Sequence, residues 1–379
     1  MDWGFFQELL SIDSTSGKER KVAEWLAERL PGMFPATNRP ELRAEEVGDG
    51  TLNLLLTWGT PRIVFCSHLD TVPPYIEPIF PEGVFLSEPS LRDPSQGKPW
   101  APPSYAAEGG HRFGEEHPLR ENVIKGRGSC DAKGQVFAIV ETCKKLAEAG
   151  KTDFGMLLLA GEETGSWGAK AFAKTEFRAE YLVVGEPTDN CMVSASKGTK
   201  SFDLKFTGEP FHSGYPQYGV SAVDLFVAFV NALKAKDFGM DPVLGETTWN
   251  IGLVHSDNPQ NILSPELTCR LYFRTTFVSD EAVCKWMEEA SSVIPGLTGN
   301  LAVTARGGDT PARYWTVEGL PSKSVAFGSD APHLKNFTHK AICGPGSITV
   351  AHRDDEHVLV ADLATAIEQY LALYRSVTE

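Results

Sequence analysis

Short runs of apolar residues, each followed at once by His, Asp or Glu, recur along the chain. Three of them are "RIVFCSHLD" (62–70), "GMLLLAGEE" (155–163) and "YLVVGEPTD" (181–189). A continuous apolar run of this length is typical of a strand buried on both faces, as in an α/β sheet. Ligands of such sheets gather outside the carboxyl ends of the strands, so the pattern predicts a site where these polar residues converge.

The segment between the first two runs has a helical pattern. In "AKGQVFAIVETCKKLAEAG" (132–150) the apolar positions 136, 139, 140, 143 and 146 share one helical face, and Gly150 closes the segment. The order strand, helix, strand predicts an α/β fold with a mixed, mostly parallel sheet flanked by helices.

The pattern changes from about 194 to 308, where the predicted elements follow a β-α-β-β-α-β order. Apolar runs ending in polar groups return at 324–332 and 341–358. We therefore expect a first domain made of 1–193 and 309–379, interrupted by an inserted α+β ferredoxin-like domain at 194–308. Residues 81–121 are rich in Pro, Gly and charge, which predicts a long loop near the site.

Composition narrows the class of partner. A chain of 379 residues suggests two or three domains. Its formal net charge of −15 argues against a nucleic acid or an anionic membrane as the main partner. The seven cysteines are scattered among apolar patterns and are expected to be reduced core residues. Without a basic leader or eighteen consecutive apolar residues, the protein is expected to be soluble and cytoplasmic.

Five residues in the pattern are of types that bind divalent zinc. Zinc takes imidazole nitrogen and carboxylate oxygen, and catalytic zinc sites leave one position for water. Asp70 lies two residues from His68, so in an extended segment its carboxylate can hold the imidazole. In the pair Glu162 and Glu163, one carboxylate can bind metal while its neighbour takes a proton from water. The candidate ligands are His68, Asp131, Glu163, Glu186 and His352.

Each candidate taken alone has a simpler interpretation. A single His, such as His68 or His352, more often lies in a core or on the surface, and the two adjacent glutamates could end a strand in solvent. Asp131 could cap the following helix, and Glu186, which precedes a proline, could belong to a turn. Their conjunction, each beside an apolar run, favours the metal hypothesis.

Six segments resemble, in order and spacing, one family of two-metal amidohydrolases. That family contains acetylornithine deacetylase, succinyl-diaminopimelate desuccinylase, aminoacylase and glutamate carboxypeptidase, and the resemblance covers nearly the whole chain. Singly the motifs are weak, whereas six in register are specific. The segments are "SHLDTVP", "GRGSCDAKG", "GEETGS", "VGEPTD", "FHSGYPQYGVSAVD" and "GPGSITVAHRDDEHV".

The resemblance implies two zinc ions, for which cobalt or manganese can substitute. Asp131 would bridge them, with His68 and Glu186 completing one site and Glu163 and His352 the other. Glu186 in "GEPT" matches the deacetylase and desuccinylase branch, whereas some carboxypeptidase relatives have Asp at this position.

The resemblance also implies roles for residues that do not bind metal. Glu162 matches the general base, and Asp70 matches the residue that orients the His68 ring. His212 in "FHSGYP" matches a His that donates to the oxyanion, often across a dimer, so a homodimer through a lid-like inserted domain is implied. The remaining matches are substrate-side positions, namely Asn261 and Arg274 for a carboxylate and Asp330 in "GSDAP" for a cationic side chain such as that of ornithine.

The expected function is hydrolysis of the amide bond of an N-acyl amino acid, most like acetylornithine deacetylase of arginine biosynthesis. An exopeptidase acting on short peptides is the alternative, because the metal chemistry is identical and only pocket contacts separate the two. A catalytically silent binding protein predicts a missing ligand or a missing Glu162, and none is missing. A nucleophilic hydrolase is disfavoured because "GEETGS" and "FGSDAP" lack the G-x-S-x-G elbow.

The chain departs from the family pattern in three places. "SHLD" lacks the Gly that often precedes the His, and Cys130 precedes Asp131 where a small hydroxyl residue or Ala is frequent. The 81–121 loop is long, and within it His111 and His117 could act as adventitious ligands.

Overall fold

The computed structural model describes residues 1–81 and 122–378. The predicted loop at 81–121, with His111 and His117, therefore lies outside the described residues apart from Pro81. The chain divides into two compact units. The first comprises Met1–Val193, Tyr314–Lys323 and Ser329–Glu379, and the second comprises Ser194–Arg313 and Ser324–Gly328.

Helices and strands alternate through most of the described chain. The helices are α1 (Trp3–Ser11), α2 (Arg20–Arg29), α3 (Lys133–Glu148), α4 (Trp167–Phe172), α5 (Ala222–Ala235), α6 (Asp280–Val293) and α7 (Val360–Thr378). The strands are β1 (Glu41–Val47), β2 (Thr51–Gly59), β3 (Ile63–His68), β4 (Val123–Lys125), β5 (Asp153–Leu159), β6 (Ala179–Val184), β7 (Met192–Ser196), β8 (Gly198–Thr207), β9 (Met240–Asp241), β10 (Gly245–Glu246), β11 (Thr248–His255), β12 (Glu266–Thr275), β13 (Leu301–Gly307), β14 (Ala312–Arg313), β15 (Ser322–Val325), β16 (Phe337–Ile342) and β17 (His357–Leu359).

A six-stranded sheet forms the centre of the first unit, with the strand order β1-β2-β5-β3-β6-β16. Strands β5, β3, β6 and β16 are parallel, whereas β1 and β2 form an antiparallel hairpin at one edge. All six residues of β3 are buried, as expected for a strand covered on both faces. The prediction of an α/β fold with a mostly parallel sheet is therefore confirmed.

Helix α3 lies between β4 and β5 in the chain and packs against β3, β5, α1 and α7. Its residues from Lys133 to Cys143 are all buried, so it is a core helix and not an amphipathic surface helix. The ring of Phe137 stacks on Phe6 at 4.5 Å and on Trp3 at 5.4 Å between ring centroids. This packing holds the start of α3, just after Asp131, at the edge of the sheet where β3 ends.

The second unit contains a four-stranded antiparallel sheet with the order β11-β12-β8-β13. Its elements follow the β-α-β-β-α-β order expected from the sequence, with the short β9–β10 pair added before β11. Alternate residues of β8 and β12 are buried, and a core of Phe206, Phe229, Leu271 and Met287 joins this face to α5 and α6.

The apolar run at 324–332 does not add a strand to the central sheet. Its strand, β15, pairs with β7 in a separate three-stranded sheet of order β14-β7-β15. Residues 324–328 group with the second unit, as do residues 309–313. A short apolar run does not by itself distinguish a central strand from a strand of a small ribbon.

Two expectations from composition bear on the described chain. All seven cysteines are free thiols, and five of them are buried. Among residues 1–81 and 122–378, no helix combines the length and the apolar character needed to cross a membrane.

Candidate metal centre

His68 ends β3 at the carboxyl edge of the sheet, and only 1% of its surface is exposed. Its Nδ1 lies 3.0 Å from the backbone oxygen of Asp70, and its Nε2 lies 3.1 Å from Oδ1 of Asp131. A carbonyl oxygen only accepts, so Nδ1 carries a proton. Burial lowers the pKa of His68, but hydrogen bonds to Asp131 and Asp70 outweigh it and raise the pKa well above its usual value, so without a metal Nε2 is protonated too and donates to Asp131. A metal bound at Nε2 would take the place of that second proton.

Asp131 lies at the centre of the cluster, in the turn before α3. Its two carboxylate oxygens contact two imidazoles, because Oδ2 lies 3.3 Å from Nε2 of His352. Burial raises the pKa of Asp131, but hydrogen bonds from His352 and His68 outweigh it and hold the pKa below its usual range. The carboxylate is therefore charged and placed between two imidazoles.

His352 lies in a turn between β16 and β17 and adopts a positive φ of 64°. Its Nε2 is 2.9 Å from Oε1 of Glu163, and hydrogen bonds to Asp131 and Glu163 raise the pKa of His352 to about 10. Without a metal, the imidazole is held as a cation by the two carboxylates that would otherwise share a metal with it.

Glu186 follows β6 and is 4% exposed. Its buried Oε1 has no hydrogen-bond partner. Burial raises the pKa of Glu186 well above its usual value, and the charges of Glu162 and Asp131 add to that effect while His68 opposes it. A buried carboxylate oxygen without a donor needs a proton or a cation.

Glu162 and Glu163 follow the turn that ends β5. Gly161 adopts a φ of +65° there, a conformation that a residue with a side chain rarely adopts. Burial raises the pKa of Glu162 well above its usual value, and the charges of Asp330, Glu163 and Asp131 add to this while His68 opposes it. Glu162 thus lies near other acids, and a nearby positive charge would favour its ionised form.

Asp70 fixes the backbone of this glutamate pair. Its Oδ1 accepts the N–H of Glu162 at 3.0 Å, and its Oδ2 accepts the N–H of Glu163 at 3.2 Å and the hydroxyl of Ser16 at 2.8 Å. Its Oδ1 also lies 3.4 Å from Nδ1 of His68. Asp70 therefore links the His68 ring to the segment that carries Glu162 and Glu163.

Asp330 is 1% exposed, and its Oδ1 has no hydrogen-bond partner. Burial raises its pKa to about 6, while the charge of His68 and a hydrogen bond from Ser166 oppose the shift. This acid belongs to the same unit as the His68 cluster and interacts electrostatically with Glu162 and Glu186.

The donor set fits a divalent cation. One atom each from His68, Asp131 and Glu163 lie within 4.8 Å of one another. The contact between Nε2 of His68 and Asp131 and the unpaired Oε1 of Glu186 both call for positive charge at this place, which a bound cation would supply. Imidazole nitrogen together with carboxylate oxygen suits zinc, cobalt or manganese.

The other predicted site residues belong to the second unit. His212 forms an isolated β-bridge with Ile262, and the neighbouring Ser213 donates its N–H to the carbonyl of Asn261, so His212 and Asn261 lie on adjacent segments. Both side chains are exposed. Arg274 lies on β12, with its guanidinium 5.1 Å from the ring centroid of Tyr272.

Two residues that the sequence did not mark as functional lie beside the candidate metal ligands. Glu356 accepts the backbone N–H of Asp131 at 3.1 Å, and Arg127 pairs with Glu356 at 2.5 Å. Both are 1% exposed. They lie in "GPGSITVAHRDDEHV" and "GRGSCDAKG", the segments that carry His352 and Asp131, and this closeness in sequence to two candidate ligands was the available signal.

The curated relatives of this chain are similar over nearly its full length. A protein from Aspergillus clavatus named "probable carboxypeptidase" is 28% identical, covering 97% of this chain and 87% of the relative. A peptidase M20 domain-containing protein from Sordaria macrospora is 30% identical, covering 97% and 83%.

Solved structures share the fold. A tripeptidase from Staphylococcus aureus subsp. aureus Mu50 aligns with a TM-score of 0.74 at 18% identity, covering 99% of this chain and 97% of that one. An M20 family metallo-carboxypeptidase, Sso-CP2 from Sulfolobus solfataricus, aligns with a TM-score of 0.67 at 15% identity, covering 98% and 99%. The model of peptidase family M20/M25/M40 matches residues 103–376. This match spans most of the chain, which therefore belongs to peptidase family M20/M25/M40.

Proposed function

We propose that this family hydrolase is a metal-dependent exopeptidase that releases a terminal residue from short peptides. The observation that carries the proposal is the convergence of His68, Asp131 and Glu163 within 4.8 Å, with Glu162 beside them. The curated relatives named probable carboxypeptidase, and the tripeptidase and metallo-carboxypeptidase folds, favour a peptide over an N-acyl amino acid.

The proposed metals are two zinc ions, replaceable by cobalt or manganese. Two bound cations would polarise the scissile carbonyl and lower the pKa of the attacking water. Asp131 would contact both ions, in keeping with its two oxygens facing His68 and His352. The two ligand pairs that complete the sites would be His68 with Glu186, and Glu163 with His352.

Glu162 is proposed as the general base. Positive charge in the cluster would lower its raised pKa, so that the carboxylate takes a proton from the attacking water and later gives it to the departing amine. Asp70 supports this role by fixing the Glu162 backbone through its 3.0 Å hydrogen bond. The ring of His68 is held from its Nδ1 side, which leaves Nε2 for the metal.

Binding roles are proposed for the remaining residues. His212 would donate to the oxyanion, and Arg274 and Asn261 would hold the substrate carboxylate, for which the fork of Arg is suited. Asp330, with its unpaired Oδ1, would receive a substrate ammonium group.

We further propose a homodimer through residues 194–308 that shares His212 between copies. Mixing Glu162→Ala with His212→Ala protein should then restore activity, and no restoration would count against a shared site.

A second candidate is an amidohydrolase of N-acyl amino acids, most like acetylornithine deacetylase. It is favoured by Glu186 in "GEPT", the residue found in the deacetylase and desuccinylase branch. Both candidates use the same metal chemistry and differ in pocket contacts.

A substrate panel tests the proposal. Zinc-loaded protein is given dipeptides and tripeptides, the same peptides with a blocked amino or carboxyl terminus, N-acetylornithine and succinylated amino acids. We expect the highest kcat/KM on free peptides, and the blocked terminus that abolishes turnover identifies the end that is cut. A clear preference for the acylated amino acids would replace the exopeptidase with the deacylase.

A further inference from the structure

A buried carboxylate outside the ligand set holds the loop that presents Asp131. Oε1 of Glu356 accepts three backbone N–H groups, from Gly128 at 2.9 Å, Cys130 at 3.1 Å and Asp131 at 3.1 Å. The backbone oxygen of Glu356 also accepts the N–H of Gly126 at 3.1 Å. Hydrogen bonds to a charged acceptor are stronger than neutral ones, so this oxygen fixes the path of the chain from 126 to 131.

The second carboxylate oxygen is neutralised from within the same loop. Nη1 of Arg127 lies 2.5 Å from Oε2 of Glu356 and also donates to the backbone oxygen of Arg353 at 3.1 Å. Its Nε donates to the backbone oxygen of Pro74 at 3.1 Å. With both partners 1% exposed, the pair is shielded from water and held on several sides.

Glu356 is also close in sequence to His352, one of the candidate metal ligands. Glu356 stands four residues after His352, on the same turn between β16 and β17. It therefore ties the segment carrying His352 to the loop carrying Asp131, whose Oδ2 lies 3.3 Å from Nε2 of His352. The side chain of Glu356 thus hydrogen-bonds to the backbone of the Asp131 loop and to Arg127.

We propose that Glu356 is a positioning residue that sets the spacing of Asp131 and His352 for metal, with Arg127 as its charge partner. This inference rests on the proposed metal centre. Glu356 does not bind metal itself, because its Oε1 is occupied by three N–H groups and its Oε2 by Arg127. Groups that orient metal ligands in this way typically change metal affinity roughly 10- to 100-fold when they are removed.

The test compares variants that remove one or both carboxylate oxygens of Glu356. Glu356→Gln keeps one acceptor oxygen and loses the charge, whereas Glu356→Met keeps the length and loses every acceptor. The matched control is Asp355→Asn on the same turn, which breaks the exposed pair between Asp355 and Arg353. Zinc affinity is measured by competition with a chromophoric chelator, the visible spectrum is recorded with cobalt, and folding is followed by thermal melting.

We expect roughly tenfold weaker zinc binding for Glu356→Gln, a larger loss for Glu356→Met, an altered cobalt spectrum for both, and wild-type behaviour for Asp355→Asn. If Glu356→Met does not fold, Glu356→Gln decides. Folded variants with wild-type affinity and spectrum would overturn the inference, and so would unfolding of both, which would assign the pair to folding alone. Wild-type protein that binds no zinc would instead overturn the proposed function on which the inference rests.

Discussion

The carboxylate of Asp70 accepts the backbone N–H of Glu162 at 3.0 Å, so the acid beside His68 also holds the proposed general base. Asp70→Ala would free the backbone of Glu162 and Glu163 and remove the carboxylate beside Nδ1 of His68. We expect kcat/KM on the best peptide to fall by roughly 10- to 100-fold, with weaker zinc binding. Steady-state kinetics and zinc titration on the same sample measure both effects.

Ser16→Ala is the matched control for that variant. It removes one donor to Asp70, at 2.8 Å, and leaves the hydrogen bonds to Glu162 and Glu163 in place. We expect a loss of less than about tenfold, because the hydrogen bonds from Asp70 to the two glutamate backbones remain. Equal losses in the two variants would show that Asp70 acts through Ser16 and not through the glutamate pair.

Zinc binding is expected to release protons. In the metal-free protein burial raises the pKa of Glu162 and Glu186, and contacts with Asp131 and Glu163 raise the pKa of His352 to about 10. Metal binding favours the carboxylates and the neutral imidazole, so protons compete with zinc and affinity should rise with pH up to about 10, the pKa of His352. Calorimetry in buffers of different ionisation enthalpy counts the protons released.

His352→Ala is the control for proton release. It should release fewer protons than the wild-type protein, because one protonated ligand is absent. A binding heat that is independent of the buffer, together with an affinity that is flat over the same pH range, would contradict the protonation states inferred for the metal-free cluster.

Asp362, in the first turn of α7, tests the electrostatics of a buried acid outside the candidate ligand set. Burial raises its pKa to about 6 and the charge of Asp189 adds to this, whereas the N–H of Gly346 opposes it. The unfolded chain loses this proton near pH 3.9, so the free energy of unfolding falls as pH rises from about 4 to 6, and the penalty is fully present above that window.

Asp362→Asn should therefore stabilise the protein near pH 7.5 by roughly 1 kcal/mol, after allowance for partial exposure, and have little effect near pH 4. Denaturant unfolding at the two pH values measures the difference. Glu368→Gln, on the same helix with its side chain 49% exposed in a pair with Lys145, is the control and should show no comparable dependence on pH. An equal effect of Asp362→Asn at both pH values would contradict the assigned shift.

Much of the fold follows from local patterns. The continuous apolar runs before His68 and Glu162 predict buried strands because a strand covered on both faces has no polar side. The helical spacing at 132–150 predicts α3 for a similar local reason. The run at 324–332 shows where this reasoning ends, since the pairing of β15 with β7 depends on partners distant in sequence.

The candidate site, like the fold, is predicted from the sequence only where local patterns report it. The types and positions of His68, Asp131 and Glu163 are readable from the sequence, and the structure brings them together. The hydrogen bonds of Glu356 to the loop of Asp131 are not readable, because periodicity does not report which distant backbone groups a buried carboxylate will accept.

The most direct test of the central claim is the kcat of Glu162→Gln on the best peptide, with zinc content measured on the same sample. Gln keeps the shape of the side chain and cannot take a proton from water. We predict zinc content close to that of the wild-type protein and a kcat lower by roughly 10²- to 10⁴-fold, with wild-type turnover abolished by a chelator and restored by zinc. A folded, zinc-loaded Glu162→Gln protein with wild-type kcat would contradict the assignment of Glu162 as the general base.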